Sequence, residues 1–329
     1  MKKRALLVGI NYAGTSNALK GCINDSHNMQ AFLAANGFDE IKLVLEKEAT
    51  TDGIKAGMEW LIAGAQPGDV LLMHYSGHGS QLLSETEADG FEEIICPYDL
   101  NWMDKVITDD TLRTTFNKVP NGVNTTLILD CCHSGTMLDQ TESLLATKEV
   151  NAPAAPAPKT KKAKKGSRYM KPPAAMVKKL KDRKLVDWST SRDVNATALL
   201  IAGCQANQTS ADAFIDGQAQ GAATAALLKF AKANSSISYK SLVTNMNDYM
   251  VANKFTQRPQ LDGSSSLYDQ TFLQPFSFSV PVDTVVPADE PTAQPPENNS
   301  DSDSDSDSNK KMLAIVAVAV IIALIVFLA

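Results

Sequence analysis

The stretch Val70-Leu71-Leu72-Met73-His74-Tyr75-Ser76-Gly77-His78-Gly79-Ser80-Gln81 decides the reading of the fold. Its first half is apolar without alternation, the pattern of a strand covered on both faces in a parallel sheet. Its second half turns abruptly to glycine, histidine and small polar residues. A second stretch repeats the pattern: Thr125-Thr126-Leu127-Ile128-Leu129 runs into Asp130-Cys131-Cys132-His133-Ser134-Gly135-Thr136. Outward from these strands, at Val70–Tyr75 and Thr125–Leu129, apolar runs at Ala5–Asn11, Ile41–Leu45 and Ala198–Cys204 read as three more. Helical patterns cover Asn24–Ala35, Thr51–Ala63, Ala219–Ala233 and Lys240–Ala252. Strands alternating with helices predict an α/β fold around a mostly parallel sheet.

Composition fits one large domain with appendages. The 329 residues are 44% hydrophobic and 21% charged with 18 glycines, which excludes collagen, coiled coil and wholesale disorder. The five cysteines, 22, 96, 131, 132 and 204, are odd in number and scattered, which points to a reducing compartment and thiols free for chemistry. The opening Met1 to Ile10 is expected to be a buried first strand, because its apolar run is too short for a secretory signal. The net charge of -6 hides an asymmetry: residues 159–184 carry twelve of the 31 Lys and Arg against one acid.

In open α/β sheets the reactive groups gather beyond the carboxyl ends of strands. A cysteine and a histidine brought together there can form a thiolate–imidazolium pair: the imidazole takes the thiol proton, lowering the cysteine's pKa, and later protonates the leaving amine. Glycines around both let a substrate backbone approach. A lone His or Cys after a strand is ordinarily structural, but two such strand ends make coincidence a poor explanation. Zinc on His74 and His78 with the cysteines is the other reading. The glycines break the helix that an H-E-x-x-H site needs, and adjacent cysteines chelate badly.

The HYSGHGSQ and DCCHSG blocks resemble those of metacaspases, the caspase-like cysteine peptidases, and the 54 residues from His78 to Cys132 match the caspase spacing. Supporting blocks follow in the family's order: Gly21-Cys22-Ile23-Asn24-Asp25, Asp89-Gly90-Phe91-Glu92-Glu93, Ile107-Thr108-Asp109-Asp110, Gln208-Thr209-Ser210-Ala211-Asp212-Ala213 and Gln257-Arg258-Pro259-Gln260-Leu261. The resemblance implies a caspase-like, mostly parallel six-stranded sheet flanked by helices, nearest the type I arrangement without its Pro-rich N-terminal prodomain. It implies a large catalytic region over 1–150 and a small region over 191–279, joined by the basic Pro/Lys-rich linker 151–190.

The resemblance makes His78 the general base and acid, Cys132 the nucleophile, and the backbone amides of Gly79 and Cys132 the oxyanion donors. Cys131 occupies the motif's variable position and His133 is read as structural. Cys22, Asp25, Ser76 and Asp130 fall on the primary pocket, whose two carboxylates favour Arg or Lys and repel Asp. Glu92, Asp109, Asp110 and Asp139 fall on the family's calcium-ligand positions, so Ca²⁺ is the expected activating cofactor; Glu92 stands where the family usually has Asp.

The expected partners are proteins or peptides with Arg or Lys at the cleaved bond, and no specific nucleic acid. The basic linker, interrupted by prolines and not expected to fold tightly, is the expected site of self-processing of a zymogen. Residues 280–311, rich in Pro, Asp and Ser, read as a disordered acidic stalk. Met312 to Ala329 carries no charge; eighteen such residues at ~1.5 Å each reach ~27 Å, enough to span a thin bilayer. That predicts a single-pass C-terminal membrane anchor with the catalytic domain on the cytosolic side. The competing class is a catalytically silent caspase-like scaffold tethered to the membrane.

Overall fold

The computed structural model describes residues 1–83, 91–132, 166–176, 198–205 and 208–277. The central sheet has six strands: β1 (Lys3–Gly9), β2 (Glu40–Leu45), β3 (Val70–Ser76), β7 (Asn124–Asp130), β9 (Ala198–Ala202) and β12 (Gln260–Gly263). Their order is β12-β9-β7-β3-β1-β2, with four parallel pairings and one antiparallel, β12 on β9. The remaining strands form two small sheets. One joins β4 (Gly79–Leu83), β5 (Phe91–Ile95) and β6 (Ile107–Thr108); the other joins β8 (Gly166–Ser167), β10 (Ala211–Ile215) and β11 (Gln218–Gly221).

Apolar runs without alternation produce this arrangement because each central strand feeds two cores. In β1, Leu6 and Val8 enter one buried cluster and Ala5 and Leu7 the other. Helices α2 (Thr51–Ile62) and α3 (Asp109–Phe116) cover the first face through Ile54, Met58, Leu61, Leu112 and Phe116. Helices α1 (Cys22–Ala35), α4 (Ala222–Ala233) and α5 (Tyr239–Ala252) cover the second through Met29, Leu33, Leu227, Leu242 and Met246. Thr50, Thr108 and Ser238 start α2, α3 and α5 by accepting the amides of Gly53, Thr111 and Ser241, which satisfies donors that the first turn leaves open.

Two expectations need correcting. The helix predicted from Ala219 begins at Ala222, because Asp216 and Gly217, with φ of 50° and 83°, fold Gln218–Gly221 back along β10 as a hairpin. The basic segment is not wholly outside the fold: Gly166 and Ser167 pair with β10, and the chain continues along β4. All described residues belong to one compact unit, Met1–Ser279. The stalk at 280–311 and the anchor at 312–329 lie outside the described residues, as do 133–165. No helix among the described residues is long and apolar enough to cross a membrane.

Candidate active site

The strand register brings the two sequence blocks together. Ser76, at the end of β3, pairs with Asp130 at the end of β7 and with Gly9 of β1 on its other side. Chain order reverses between β1 and β3, the place where open α/β sheets leave a crevice. Asp25 reaches the crevice from the first turn of α1, and accepts from Ser76 Oγ at 2.7 Å.

A side chain of the protein itself fills this pocket. Arg168 is fully buried. Its Nη2 lies 2.7 Å from Asp25 Oδ2 and 3.1 Å from Asp212 Oδ1, and its Nη1 lies 3.2 Å from Asp130 Oδ2. Nη1 also donates to Ser76 Oγ at 2.9 Å and to the Asp130 carbonyl at 3.0 Å. The planar fork matches this set of acceptors, as charge-assisted recognition of arginine requires. Gly221 has to be glycine for a steric reason: a Cβ there would run into Asp130 Oδ2 and the guanidinium. The Gly221 amide donates to Asp25 at 2.9 Å, and Thr224 donates to Asp130 Oδ2 from its amide at 2.9 Å and its hydroxyl at 2.8 Å.

Burial pushes the Asp25 carboxyl up to about 6 against the pull of Arg168, with Asp130 adding repulsion. Asp130 is buried too, yet Arg168 and the donors Ser210 and Thr224 hold it below the ordinary range. Cys22, also in the pocket, is a neutral thiol pushed up to about 12 by burial. Burial likewise lowers His74 to about 4. Its Nε2 lies 3.2 Å from the Thr224 hydroxyl, whose one proton goes to Asp130, so His74 Nε2 carries the proton of that contact.

The main chain of Arg168 lies across the reactive groups. Its carbonyl oxygen accepts from the amide of Gly79 at 2.9 Å and from the amide of Cys132 at 3.3 Å. Its amide donates to the Ser210 carbonyl at 3.0 Å. Cys132 Sγ accepts the Ser210 amide at 3.2 Å and lies 3.8 Å from Ser167 Oγ. His78 is held by tyrosines: its amide donates to Tyr12 Oη at 3.2 Å, its carbonyl accepts from Tyr75 Oη at 2.7 Å, and its ring packs 4.9 Å from that of Tyr12. Nε2 contacts the Asn17 carbonyl at 2.7 Å, while Nδ1 is buried without a partner. Burial lowers the His78 pKa against the pull of the Asn17 carbonyl, and burial raises Cys132 to about 12. With Arg168 in place the thiol and imidazole are therefore both neutral. Cys131 is fully buried in the apolar cluster under the sheet.

The acidic set is partly visible. Asp109 and Asp110 begin α3 and share Arg113, at 3.3 and 2.6 Å. Asp109 is buried, its Oδ1 has no partner, and burial pushes it up to about 8 against Arg113, with Asp110, Glu92 and Glu93 adding repulsion. An orphaned carboxylate oxygen in surplus negative charge suits a hard cation. Among the described residues, however, no group of three or more His, Cys, Asp or Glu is placed to hold a metal ion, and Asp139 lies outside them. Sequence reasoning did not assign Asp212 to the pocket, or single out Arg168 among the cations of the linker.

Two amides converge on the carbonyl of the one residue whose side chain fills the carboxylate pocket, with the Cys132 thiol beside it. This arrangement is suited to attack on a peptide carbonyl, and it places the chain among cysteine peptidases of α/β fold. A family model for the metacaspase, peptidase C14 domain matches residues 3–141. Metacaspase-1 of Mycosarcoma maydis is 34% identical over 80% of this chain and 70% of its own length. Metacaspase-3 of Trypanosoma brucei brucei is 33% identical over 84% of this chain and 75% of its own. Protein GSU0716 from Geobacter sulfurreducens has a similar solved structure, with a TM-score of 0.58 at 25% identity over 84% of this chain and all of that one. The chain belongs to the metacaspases and is a cysteine-type endopeptidase.

Proposed function

We propose that the enzyme cleaves polypeptides after Arg or Lys, that its first substrate is its own Arg168–Tyr169 bond, and that Ca²⁺ stimulates it. The observation that carries this reading is the seat of Arg168: side chain among three carboxylates, carbonyl between two amides. In this reading His78 takes the Cys132 proton, and the sulfur attacks the Arg168 carbonyl carbon. The Gly79 and Cys132 amides stabilise the oxyanion. The C–N bond breaks as His78 returns the proton to the Tyr169 amine, leaving a thioester on Cys132. Water activated by His78 then releases the Arg168 carboxylate and the free thiol.

Calcium is proposed on the buried, partnerless oxygen of Asp109 and the acids around it. With Glu92, Asp110 and Asp139 it would supply the oxygen ligands that such an ion takes. The charge-free run 312–329 is proposed to tether the enzyme to a bilayer, which membrane fractionation of the full chain against one ending at 311 tests.

Hydrolysis of a fluorogenic Arg peptide, abolished by Cys132→Ala and reduced at least roughly tenfold by Asp130→Asn, is expected from one lost charged contact. An Asp peptide should stay intact. Inert wild-type protein would favour the silent scaffold instead, and cleavage after Asp would overturn the pocket.

A further inference from the structure

We propose that the active site has a second specificity pocket on the leaving-group side, which takes an apolar residue two positions after the cleaved bond. Met170 is its resident in this chain. The inference rests on the reading of Arg168–Tyr169 as a substrate bond and extends it to what the site demands of other substrates.

The chain past Arg168 is bound as an added strand. Gly79 forms a parallel bridge with Tyr169, and its carbonyl accepts the Met170 amide at 3.1 Å. This is the edge of β4 away from β5, which pairs with Gly79 through Ile95. Side chains of an added strand alternate in direction, so one side is read and the next is left to solvent. Met170 is 7% exposed, and Lys171 after it is exposed. Met170 belongs to the same buried cluster as Leu82, Ile94, Ile95 and Cys96, and Met176 packs against that cluster after the chain turns at Pro173.

Two selection rules follow. The cluster offers hydrocarbon and thiols, so a charged side chain in the place of Met170 would be stripped of water without a partner. The Gly79 carbonyl needs an N–H from that residue, so proline is excluded there by its missing donor. Gly79 thus grips a substrate twice, by its amide at the cleaved carbonyl and by its carbonyl two residues later.

Internally quenched peptides of sequence Gly-Ser-Arg-Tyr-Met-Lys test this on the full-length enzyme with Ca²⁺, with Met replaced by Leu, Asp or Pro. Met and Leu peptides should agree in kcat/KM within about threefold, and Asp and Pro peptides should fall at least about tenfold below them. Equal values for all four overturn the pocket. An Arg–coumarin substrate ends at the cleaved bond and reports the peptidase reading separately. If that substrate and the peptides are inert, the peptidase reading fails and binding decides the pocket. Labelled peptides are then titrated by fluorescence polarisation onto the Cys132→Ala/Arg168→Ala chain. Met and Leu at least about tenfold tighter than Asp and Pro uphold the pocket; equal Kd values overturn it.

Discussion

Asp25, Asp130 and Asp212 set three buried carboxylates against one guanidinium. Within that imbalance Asp25 and Asp130 ionise differently. Asp130 is stabilised by Ser210, Thr224 and Arg168, whereas burial leaves Asp25 at about 6. Because this value lies above the ordinary 3.8, the folded chain holds a proton that the unfolded chain gives up, and stability is lost as pH rises from about 4 to about 6. Substrate binding has the opposite sign, since an ionised Asp25 attracts an Arg side chain more strongly. The KM for Arg peptides should fall as pH rises through the titration of Asp25, and that fall should be absent in Asp25→Asn. A pH-independent KM in the wild type would show that Asp25 does not face the substrate's cation.

Among elements, β8 lies beside the nucleophile, with Ser167 Oγ 3.8 Å from Cys132 Sγ. Gly166 and Ser167 lie on β10 through Asp212 and Ala211, and the next residue drops its side chain into the pocket. Gly166 fits because even a Cβ would come within 3.3 Å of Asp212 Cβ. Alkylation of Cys132 by iodoacetamide, followed by peptide mapping, should be slow in freshly made Cys132-intact protein lacking Ca²⁺. In Arg168→Ala it should be roughly tenfold faster at pH 8, because releasing β8 restores water to the thiol. Equal rates would mean that the linker does not shield the nucleophile.

What the sequence disclosed also divides by element. The apolar runs of β1, β3, β7 and β9 are legible, since burial on both faces favours apolar residues without alternation. The buried polar residues among them, such as His74 and Thr126, find hydrogen-bond partners in Thr224 and Tyr239. The β10–β11 hairpin is not legible, because its polar alternation lies just before a strongly apolar helix and is absorbed into it. Asp216-Gly217 was the available signal: a two-residue turn with both φ angles positive. At the site, the reactive blocks were legible from Gly, His and Cys at strand ends. Asp212 was not, because it reaches the pocket only through the hairpin. Arg168 was one of twelve cations, distinguished physically by the two small residues before it.

For the whole molecule, the sheet decides what cleavage does. Strands β7 and β9 lie on opposite sides of the linker in sequence yet pair directly, from Thr125 with Ala198 to Leu129 with Ala202. A cut at the linker therefore severs the chain without separating the large and small regions. Calcium acts on the large region in this account. Activity should rise at roughly millimolar or submillimolar Ca²⁺ and not with Mg²⁺, and Asp109→Asn/Asp110→Asn should remove the response. Full activity in excess chelator would refute it.

The central claim is that Arg168 occupies its own enzyme's pocket as a substrate residue. Purified full-length protein, incubated with Ca²⁺ and analysed by intact mass and N-terminal sequencing, tests it most directly. A new N-terminus at Tyr169 is expected, absent in Cys132→Ala and in Arg168→Ala. An active enzyme that leaves Arg168–Tyr169 uncut, or that cuts only at other cations of the linker, would contradict it.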